Sequence, residues 1–221
     1  MIDLSRRATD PELLDEGVPE REVVLSLKDL RFVNRWLGGT RLLMRVAAPY
    51  LRGARRILDV GCGSADLTAA LLARSPQGAL AVGLDWKTLH LKQAPPGVAR
   101  VAGDAARLPF PDGTFDLVTA SLFLHHFDAP ELPGVLRALY AATRGALVVN
   151  DLRRAVVPYL FGRAVFPLIF ASRVSVHDGL VSIRRSFKRG DLLQGFEAAG
   201  IPQPRILSFF PYRWLVVCEK R

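Results

Sequence analysis

Apolar residues near the start of the chain recur every three or four positions, which is the spacing of an α-helix. They form a stripe from Glu20 to Leu37 that stops at Gly38-Gly39, and a second helix is predicted from about Thr40 to Leu51. The stripe consists of Val23, Val24, Leu27, Leu30, Val33 and Leu37. The sequence therefore predicts an N-terminal helical cap over residues 1–52.

From residue 56 onward, short apolar runs alternate with helical patterns. The runs predict strands at about 56–60, 80–84, 98–102, 115–121 and 145–150. Helices are predicted at about 65–74, 87–93 and 130–142, with a late helix at Asp191 to Ala199. Repeated β-α-β units indicate a parallel core. Arg205 to Phe210 and Trp214 to Cys218, separated by Pro211-Tyr212-Arg213, predict a closing hairpin.

A glycine turn follows the first strand, because Ile57 to Leu72 runs from an apolar strand through Gly61 and Gly63 into a helix. Glycine lets the backbone turn sharply and approach a ligand closely, and the helix N-terminus offers free N–H groups. The dinucleotide fingerprint G-x-G-x-x-G would need glycine at position 66, where the chain has Asp66. The turn predicts a bound ligand and argues against NAD.

Polar residues follow the next strands. Ala79 to Asp85 is an apolar run that ends in a carboxylate 22 residues after Gly63, where such folds bind ribose hydroxyls. Trp86 comes next, and its indole could stack on a flat ring or belong to the core. Gly103-Asp104-Ala105 and the segment Leu108 to Asp116 then lead into the fourth strand.

Together, residues 57–151 resemble the class I S-adenosylmethionine-dependent methyltransferases. Asp59-Val60-Gly61-Cys62-Gly63-Ser64-Ala65 resembles their first motif, D/E-x-G-x-G-x-G, with Ala65 in the last glycine position. The resemblance implies an α/β fold with a Rossmann-like seven-stranded sheet, mostly parallel with an antiparallel final strand. In this chain the sheet would carry N-terminal helices and a helical insertion after strand five. The implied cofactor is S-adenosyl-L-methionine.

The resemblance also implies roles for single residues. Asp85 would accept from both ribose hydroxyls, and Trp86 would pack on the adenine face. Asp104 would accept from the adenine amino group, while the Ala105 backbone would pair with the ring. The complete expected cofactor set is Asp59, Gly61, Cys62, Gly63, Asp85, Trp86, Asp104, Ala105 and Ser121.

Two adjacent histidines follow strand four, in the segment Ser121 to Phe127, which resembles the small-molecule branch of the family, including quinone methyltransferases. A phenolic acceptor has a pKa of about 10, so a base that works near neutrality would help to form the nucleophile. We predict that His126 is this base and His125 is structural, with the opposite assignment as the alternative. Three further residues could contact the substrate or serve as caps: Asp151, His177 and Asp178.

The segment 151–188 is longer and more apolar than a crossover after strand five requires. Val156 to Ala171 is apolar but is interrupted by Pro158, Arg163 and Pro167, and it is too short to span a bilayer. One interpretation is a lid that roofs a hydrophobic substrate and touches a membrane surface weakly. The other is an ordinary packed helix pair. The expected roof residues are Val157, Leu160, Phe161, Val165, Phe166 and Ile169.

Composition narrows the function classes. The 221 residues, 50% of them hydrophobic, suffice for a single domain covering 1–221. The net charge is +9, but arginines occur in scattered pairs without base-stacking aromatic strands, so no nucleic-acid partner is expected.

Cysteine, histidine and the N-terminus add further limits. Two cysteines, Cys62 and Cys218, give no disulfide framework, and the spacing of the histidines and acids predicts no metal site. Met1 to Arg7 lacks a secretory signal, which favours the cytoplasm.

The sequence therefore predicts an enzyme that transfers a methyl group from S-adenosylmethionine to the oxygen or carbon of a small apolar or phenolic molecule. One alternative is a non-catalytic S-adenosylmethionine-binding partner or sensor protein. The other is an NAD-dependent oxidoreductase.

Overall fold

The computed structural model describes residues 4–37 and 39–220, and a seven-stranded sheet lies at its centre. The strands are β1 Arg56–Val60, β2 Leu80–Asp85, β3 Ala99–Ala102, β4 Phe115–Ser121, β5 Thr143–Leu152, β6 Arg205–Phe209 and β7 Arg213–Glu219. Their order is β3-β2-β1-β4-β5-β7-β6, and β7 runs opposite to the other six strands. This confirms the predicted fold class and the antiparallel final strand beside strand five.

In the described part of the chain, three helices precede the first strand, and the others lie between strands. They are α1 Leu13–Glu16, α2 Glu20–Trp36, α3 Gly39–Leu51, α4 Asp66–Leu72, α5 Thr88–Leu91, α6 Leu132–Ala142, α7 Val156–Ile169, α8 Arg173–Arg185 and α9 Arg189–Ala198. The break predicted at Gly38-Gly39 falls partly on Gly38, which lies outside the described residues, as do Met1 to Asp3. Of the described helices, none is long and apolar enough to cross a bilayer.

Two elements differ from the sequence prediction. The short helix α1 was not predicted, because its four residues are too few to show a period. Strand β5 runs to Leu152, two residues further than expected, since Asp151 pairs with Trp214 and Leu152 with Arg213 on β7. Asp151 therefore belongs to the sheet and not to the insertion.

Hydrophobic clusters cover both faces of the sheet. Leu43, Ala47 and Leu51 of α3 pack with Ile57 and Leu117 on one face, and all five are buried. On the other face, α6 and α9 pack over alternate residues of the same strands, among them Leu58 and Val118. Burial of both faces explains why β1, β4 and β5 read as continuous apolar runs.

One end of the sheet lies under α2, α7 and α8. The Asp29 carboxylate of α2 accepts hydrogen bonds from the backbone N–H groups of Ala171 and Ser172, each at 3.0 Å. The Ser172 hydroxyl oxygen in turn accepts from the N–H groups of Val174 and Ser175, so it caps α8. These bonds tie the turn between α7 and α8 to the N-terminal helices.

Candidate active site

A cavity of about 1130 Å³ opens at the carboxyl ends of the parallel strands. It is larger than the roughly 300–1,000 Å³ typical of pockets for one small ligand, so it has room for a cofactor and an acceptor together. All eleven residues predicted for the site lie on its wall, namely Asp59, Gly61, Cys62, Gly63, Asp85, Trp86, Asp104, Ala105, Ser121, His125 and His126.

The glycine turn after β1 has the backbone that the motif predicts. Gly61 and Gly63 have φ of 66° and 54°, in the left-handed region, and Ala65 shares it with φ of 56°. A Cβ added to Gly63 would meet nothing closer than Leu27 Cδ2 at 3.6 Å, whereas one added to Gly61 would lie 2.1 Å from the Phe123 ring. Gly63 therefore borders open space, but the space above Gly61 is filled by Phe123.

Asp59 braces this turn from below. Its carboxylate accepts hydrogen bonds from the Thr68 hydroxyl at 2.7 Å and the Thr119 hydroxyl at 2.8 Å. Burial raises the pKa of Asp59 to about 6 against the effect of these bonds, and the charge of Asp85 adds to the rise. Asp59 is 1% exposed and both its oxygens accept from threonine hydroxyls, which fits a structural role at the base of the cavity.

Cys62 also turns its side chain toward the protein. A Cβ on Gly83 of β2 would lie 2.8 Å from the Cys62 Sγ, so the thiol packs against that strand. Burial raises the pKa of Cys62, and the charges of Asp59 and Asp85 raise it further. The thiol therefore stays protonated and is not a nucleophile.

Asp85, at the end of β2, points back toward the glycine turn. Its Oδ2 accepts from the Gly63 N–H and its Oδ1 from the Lys87 N–H, both at 2.9 Å, and His90 Nδ1 lies 3.4 Å from Oδ1. Burial raises its pKa, but the hydrogen bonds from His90, Lys87 and Gly63 outweigh burial and hold the pKa below its usual value. Asp85 is therefore an ionised carboxylate on the cavity wall.

His90 is a site residue that the sequence prediction missed. It lies on α5, lines the cavity beside Asp85, and its buried Nε2 has no hydrogen-bond partner among residues 4–37 and 39–220. A carboxylate and a free ring nitrogen together suit two neighbouring hydroxyl groups of a ligand. The only sequence indication was its position five residues after Asp85.

The remaining cofactor candidates lie at the rim. Trp86 is 64% exposed, which excludes the core interpretation and leaves an indole face free for stacking. Asp104 Oδ1 accepts from the Ala106 N–H at 2.8 Å, and Ala105 is buried. The Ser121 hydroxyl oxygen accepts from Asn150 Nδ2 at 2.8 Å.

The two histidines after β4 have different surroundings. His125 is 2% exposed and lies between two carboxylates, with Nδ1 2.6 Å from Asp151 Oδ1 and Nε2 3.4 Å from Glu12 Oε1. Burial lowers its pKa, but the charges and hydrogen bonds of Asp151 and Glu12 outweigh burial and raise the pKa to about 10. His125 is an imidazolium near neutrality and is unsuited to accept a proton.

His126 is more accessible. Its Nδ1 lies 2.7 Å from Asp15 Oδ2, and its Nε2 lies 3.9 Å from Glu12 Oε2, beyond hydrogen-bond distance. Its ring stacks on that of His125 with centroids 4.6 Å apart. If Nδ1–H donates to Asp15, the lone pair is on Nε2, which is the arrangement of a base oriented by a carboxylate.

Glu12 and Asp15 come from the N-terminal segment, and the sequence prediction missed both. Burial raises the pKa of Glu12, but His126 and His125 overcome burial and lower it to about 2. Asp178 of α8 fixes this segment, because its carboxylate accepts from the N–H groups of Leu13 and Leu14 at 2.8 and 2.9 Å. Of the two candidates on α8, Asp178 thus serves as a cap, and His177 does not line the cavity.

Arg185 holds the same segment against the histidines. Its guanidinium donates to the carbonyls of Asp10 at 2.9 Å, His125 at 3.0 Å and His126 at 2.6 Å. The N-terminal segment, the end of β4 and α8 therefore meet at one buried charged centre.

Glu12, His125 and His126 also place one possible metal-binding atom each within 4.8 Å of the others, a grouping that the spacing along the chain did not predict. We interpret it as an ion-pair network. His125 has hydrogen-bonding partners at both ring nitrogens and, as an imidazolium, offers no lone pair to a metal ion.

Known proteins were compared with the chain. The family described as "Methyltransferase domain" matches residues 57–145. A demethylmenaquinone methyltransferase from Geobacillus sp. (strain WCH70) is 30% identical over 176 residues, which cover 70% of this chain and 74% of that protein. One from Listeria monocytogenes serotype 4a is 28% identical over 211 residues, 86% of each chain. The plantazolicin methyltransferase BpumL, solved with a monoazolic desmethylPZN analog and SAH, aligns with a TM-score of 0.69 at 15% identity over 91% of this chain and 96% of that one.

The chain belongs to the class I S-adenosylmethionine-dependent methyltransferases. It is an enzyme that transfers a methyl group from S-adenosylmethionine to a small molecule. Neither the oxidoreductase nor the non-catalytic alternative is supported by this family.

The buried position of His125 leads to a prediction about stability. Because its pKa is raised from 6.5 to about 10, the stabilisation from its charge is complete below pH 6.5 and is lost as the pH rises through 10. Removing one partner of a buried ion pair costs about 3–5 kcal/mol, so we expect His125→Ala to lower the free energy of unfolding by that amount near pH 6. Urea unfolding of both proteins from pH 5 to 10 should show the difference shrinking above pH 6.5.

The matched control is His177→Ala, whose side chain is half exposed. We expect little change in stability for this variant at any of these pH values. A difference between wild type and His125→Ala that stays constant from pH 5 to 10 would show that His125 is not held as an imidazolium.

Proposed function

We propose that the glycine-turn end of the cavity binds S-adenosylmethionine, that an apolar, phenol- or quinone-like acceptor lies beneath α2 and α7, and that His126 is the base. The observation that carries the proposal is the placement of a carboxylate-oriented histidine in the same cavity as the glycine turn and Asp85. When bound, S-adenosylmethionine supplies an activated methyl group, so the protein mainly aligns the acceptor and excludes water.

The acceptor end is apolar. Of the six roof residues expected from the sequence, Val157, Phe161 and Phe166 line the cavity, whereas the other three do not. Leu30 and Trp36 of α2 line the cavity as well. The matched proteins from Geobacillus and Listeria are named for demethylmenaquinone, a quinone, which supports an aromatic acceptor with an apolar substituent.

In this arrangement His126 Nε2 takes the proton from an acceptor hydroxyl, and the resulting oxyanion carries the nucleophilic electron pair to its oxygen or a conjugated ring carbon. Asp15 keeps the imidazole oriented and stabilises the imidazolium that forms. The N-terminal segment, α7 and α8 act as a lid that keeps water from the reacting atoms.

The outer surface of α7 remains apolar. Leu160 is 49% exposed and Leu168 is 82% exposed, and Phe210 nearby in the cavity rim is 91% exposed. These side chains support the weak contact with a membrane surface that the sequence suggested. The cytoplasmic location expected from the sequence stays a prediction.

Cofactor binding is tested with Asp85→Ala. The variant loses a carboxylate that would accept from two ribose hydroxyls, and charge-assisted hydrogen bonds contribute about 1.5–3 kcal/mol each, so the affinity for S-adenosylhomocysteine should fall at least about tenfold. Isothermal titration measures this, with Asp112→Ala in the exposed loop before β4 as the control. Unchanged affinity in folded Asp85→Ala would remove Asp85 from the site.

Acceptor class is tested with 4-alkylphenols of increasing chain length in the presence of S-adenosylhomocysteine. Each buried CH₂ contributes about 0.8 kcal/mol, so the affinity should rise about fourfold per methylene. Phe161→Ser should weaken the long-chain phenols selectively. Leu168→Ser is the matched control, because Leu168 lies on the same helix but does not line the cavity. A preference for short polar phenols would contradict the apolar pocket.

The base is tested with His126→Ala. We expect turnover of 4-heptylphenol with labelled S-adenosylmethionine to fall about 10²-fold or more, because general-base catalysis contributes that much, while the cofactor affinity stays nearly unchanged. His177→Ala should keep its activity. A loss below threefold in His126→Ala would return this residue to a structural role.

A further inference from the structure

Arg213 is a buried arginine on the wall of the cavity. The sequence placed it in the turn of the closing hairpin, but it is the first residue of β7 and pairs with Leu152 of β5 and Phe209 of β6. It is 2% exposed and is the largest fully buried side chain among the described residues. Because β7 lies beyond β5 in the sheet, Arg213 is on the far side of β4 from the glycine turn. This is the end of the sheet at which the acceptor is proposed to bind.

Two of the three guanidinium nitrogens of Arg213 lack hydrogen-bond partners in the described residues. Its Nε and Nη1 are buried and have no hydrogen-bond partner among residues 4–37 and 39–220. The charge of Asp151 acts on it, but that carboxylate already bonds with His125 Nδ1 and accepts from the Leu152 N–H. Burial lowers the pKa of Arg213 to about 10, with Asp151 opposing the decrease, so the group remains a cation near neutrality.

The other buried arginines of this region are satisfied differently. The Nε of Arg154 is also buried without a partner in the described residues, but its Nη1 donates to the Ser186 carbonyl at 2.7 Å and its Nη2 to Asp191 at 3.3 Å. Arg185 donates to several backbone carbonyls, as described above. A desolvated cation with unused donors is costly, and Arg213 lines the cavity, so an acceptor group of a ligand that reached these donors would relieve that cost.

Gly39 packs closely against this guanidinium. A Cβ placed on Gly39 would lie 3.3 Å from Arg213 Nη1 and 3.0 Å from Asn34 Oδ1, so both side chains lie tightly against this glycine. Asn34 Oδ1 is also buried without a partner in the described part of the chain, and Asn34 lines the cavity. The Asn34 oxygen accepts hydrogen bonds and cannot donate one to an anion, so the donors for an anionic ligand at this place come from Arg213.

We propose that Arg213 binds a carboxylate of the methyl acceptor, which is therefore an acid with an apolar body that packs against α2 and α7. The inference rests on the acceptor site proposed above and specifies its substrate class. A guanidinium fork matches carboxylate and phosphate oxygens equally well. One buried cation balances one negative charge, and Asp151 already adds negative charge nearby, so a singly charged carboxylate fits better than a phosphate dianion.

The test compares 4-heptylbenzoate with its neutral analogue 4-heptylbenzamide. Both are titrated into the protein saturated with S-adenosylhomocysteine. Wild type should bind the benzoate at least about tenfold more tightly, since hydrogen bonds to a charged group are stronger than those to a neutral one. Arg213→Met should abolish this preference, weaken the benzoate far more than the benzamide, and leave the S-adenosylhomocysteine affinity unchanged.

Two variants control the test. Arg153→Met should keep the preference, because Arg153 also lines the cavity but stacks over the rings of Tyr212 and Trp214. Arg213→Lys keeps a positive charge but loses the forked guanidinium, and it replaces Arg213→Met in the test if that variant does not fold. We expect Arg213→Lys to bind the benzoate about tenfold more weakly than wild type. Unchanged benzoate affinity in Arg213→Lys would contradict the proposal that the forked guanidinium binds the carboxylate.

Thermal unfolding without ligand gives an independent measurement. Arg213→Met should be at least as stable as wild type, because it removes a buried charge that has no partner. A large loss of stability would show that Arg213 is structural and overturn the inference. Equal affinity of wild type for benzoate and benzamide would overturn the inference that Arg213 binds a carboxylate, but not the proposed acceptor site. Failure of both probes to bind would overturn the acceptor site and the inference with it.

Discussion

The buried contact between His125 and its two carboxylates, Glu12 and Asp151, is the interaction on which the site depends. Asp151 belongs to the sheet, His125 follows the neighbouring strand, and Glu12 comes from a segment that has no place in the sheet. Together with the bonds from Asp178 and Arg185, the protonated imidazole between these carboxylates holds the segment over the cavity. His125 is fixed as the charged partner, and His126 beside it is the more exposed of the two rings that line the cavity.

The charge balance of the cavity follows from the same contact. The acids Glu12, Asp15 and Asp151 surround two histidines, and Arg185 donates hydrogen bonds to the backbone carbonyls around them. Arg213, one strand further along, is left without such compensation. Apolar side chains of α2 and α7 also line the cavity, so it has regions for both the polar and the apolar parts of its ligands.

The sequence predicted those features that depend on residues close together along the chain. Gly63, Asp85 and Trp86 follow directly after strands, and the order of strands and helices brings such positions to one edge of a parallel sheet. Glu12 and Asp15 could not be found in this way, because their partners lie more than 100 positions away and their own segment has no hydrophobic period. Arg213 was placed in a turn because an arginine after proline and tyrosine looks exposed, and only the pairing of β7 with β5 buries it.

The distance along the chain between Asp178 and the residues it binds has a consequence for how the protein folds. Leu13 and Leu14 are separated from Asp178 by about 165 positions, so this contact closes a very long loop and cannot form before α8 exists. During synthesis the N-terminal segment leaves the ribosome first, yet it docks among the last elements. It also buries few apolar side chains, so it is expected to open more often than the sheet, with faster amide exchange at Leu13 and Leu14 than in the central strands. The N-terminal segment over the site is therefore expected to open while the sheet stays folded, which suits a segment that must let the acceptor in and the product out.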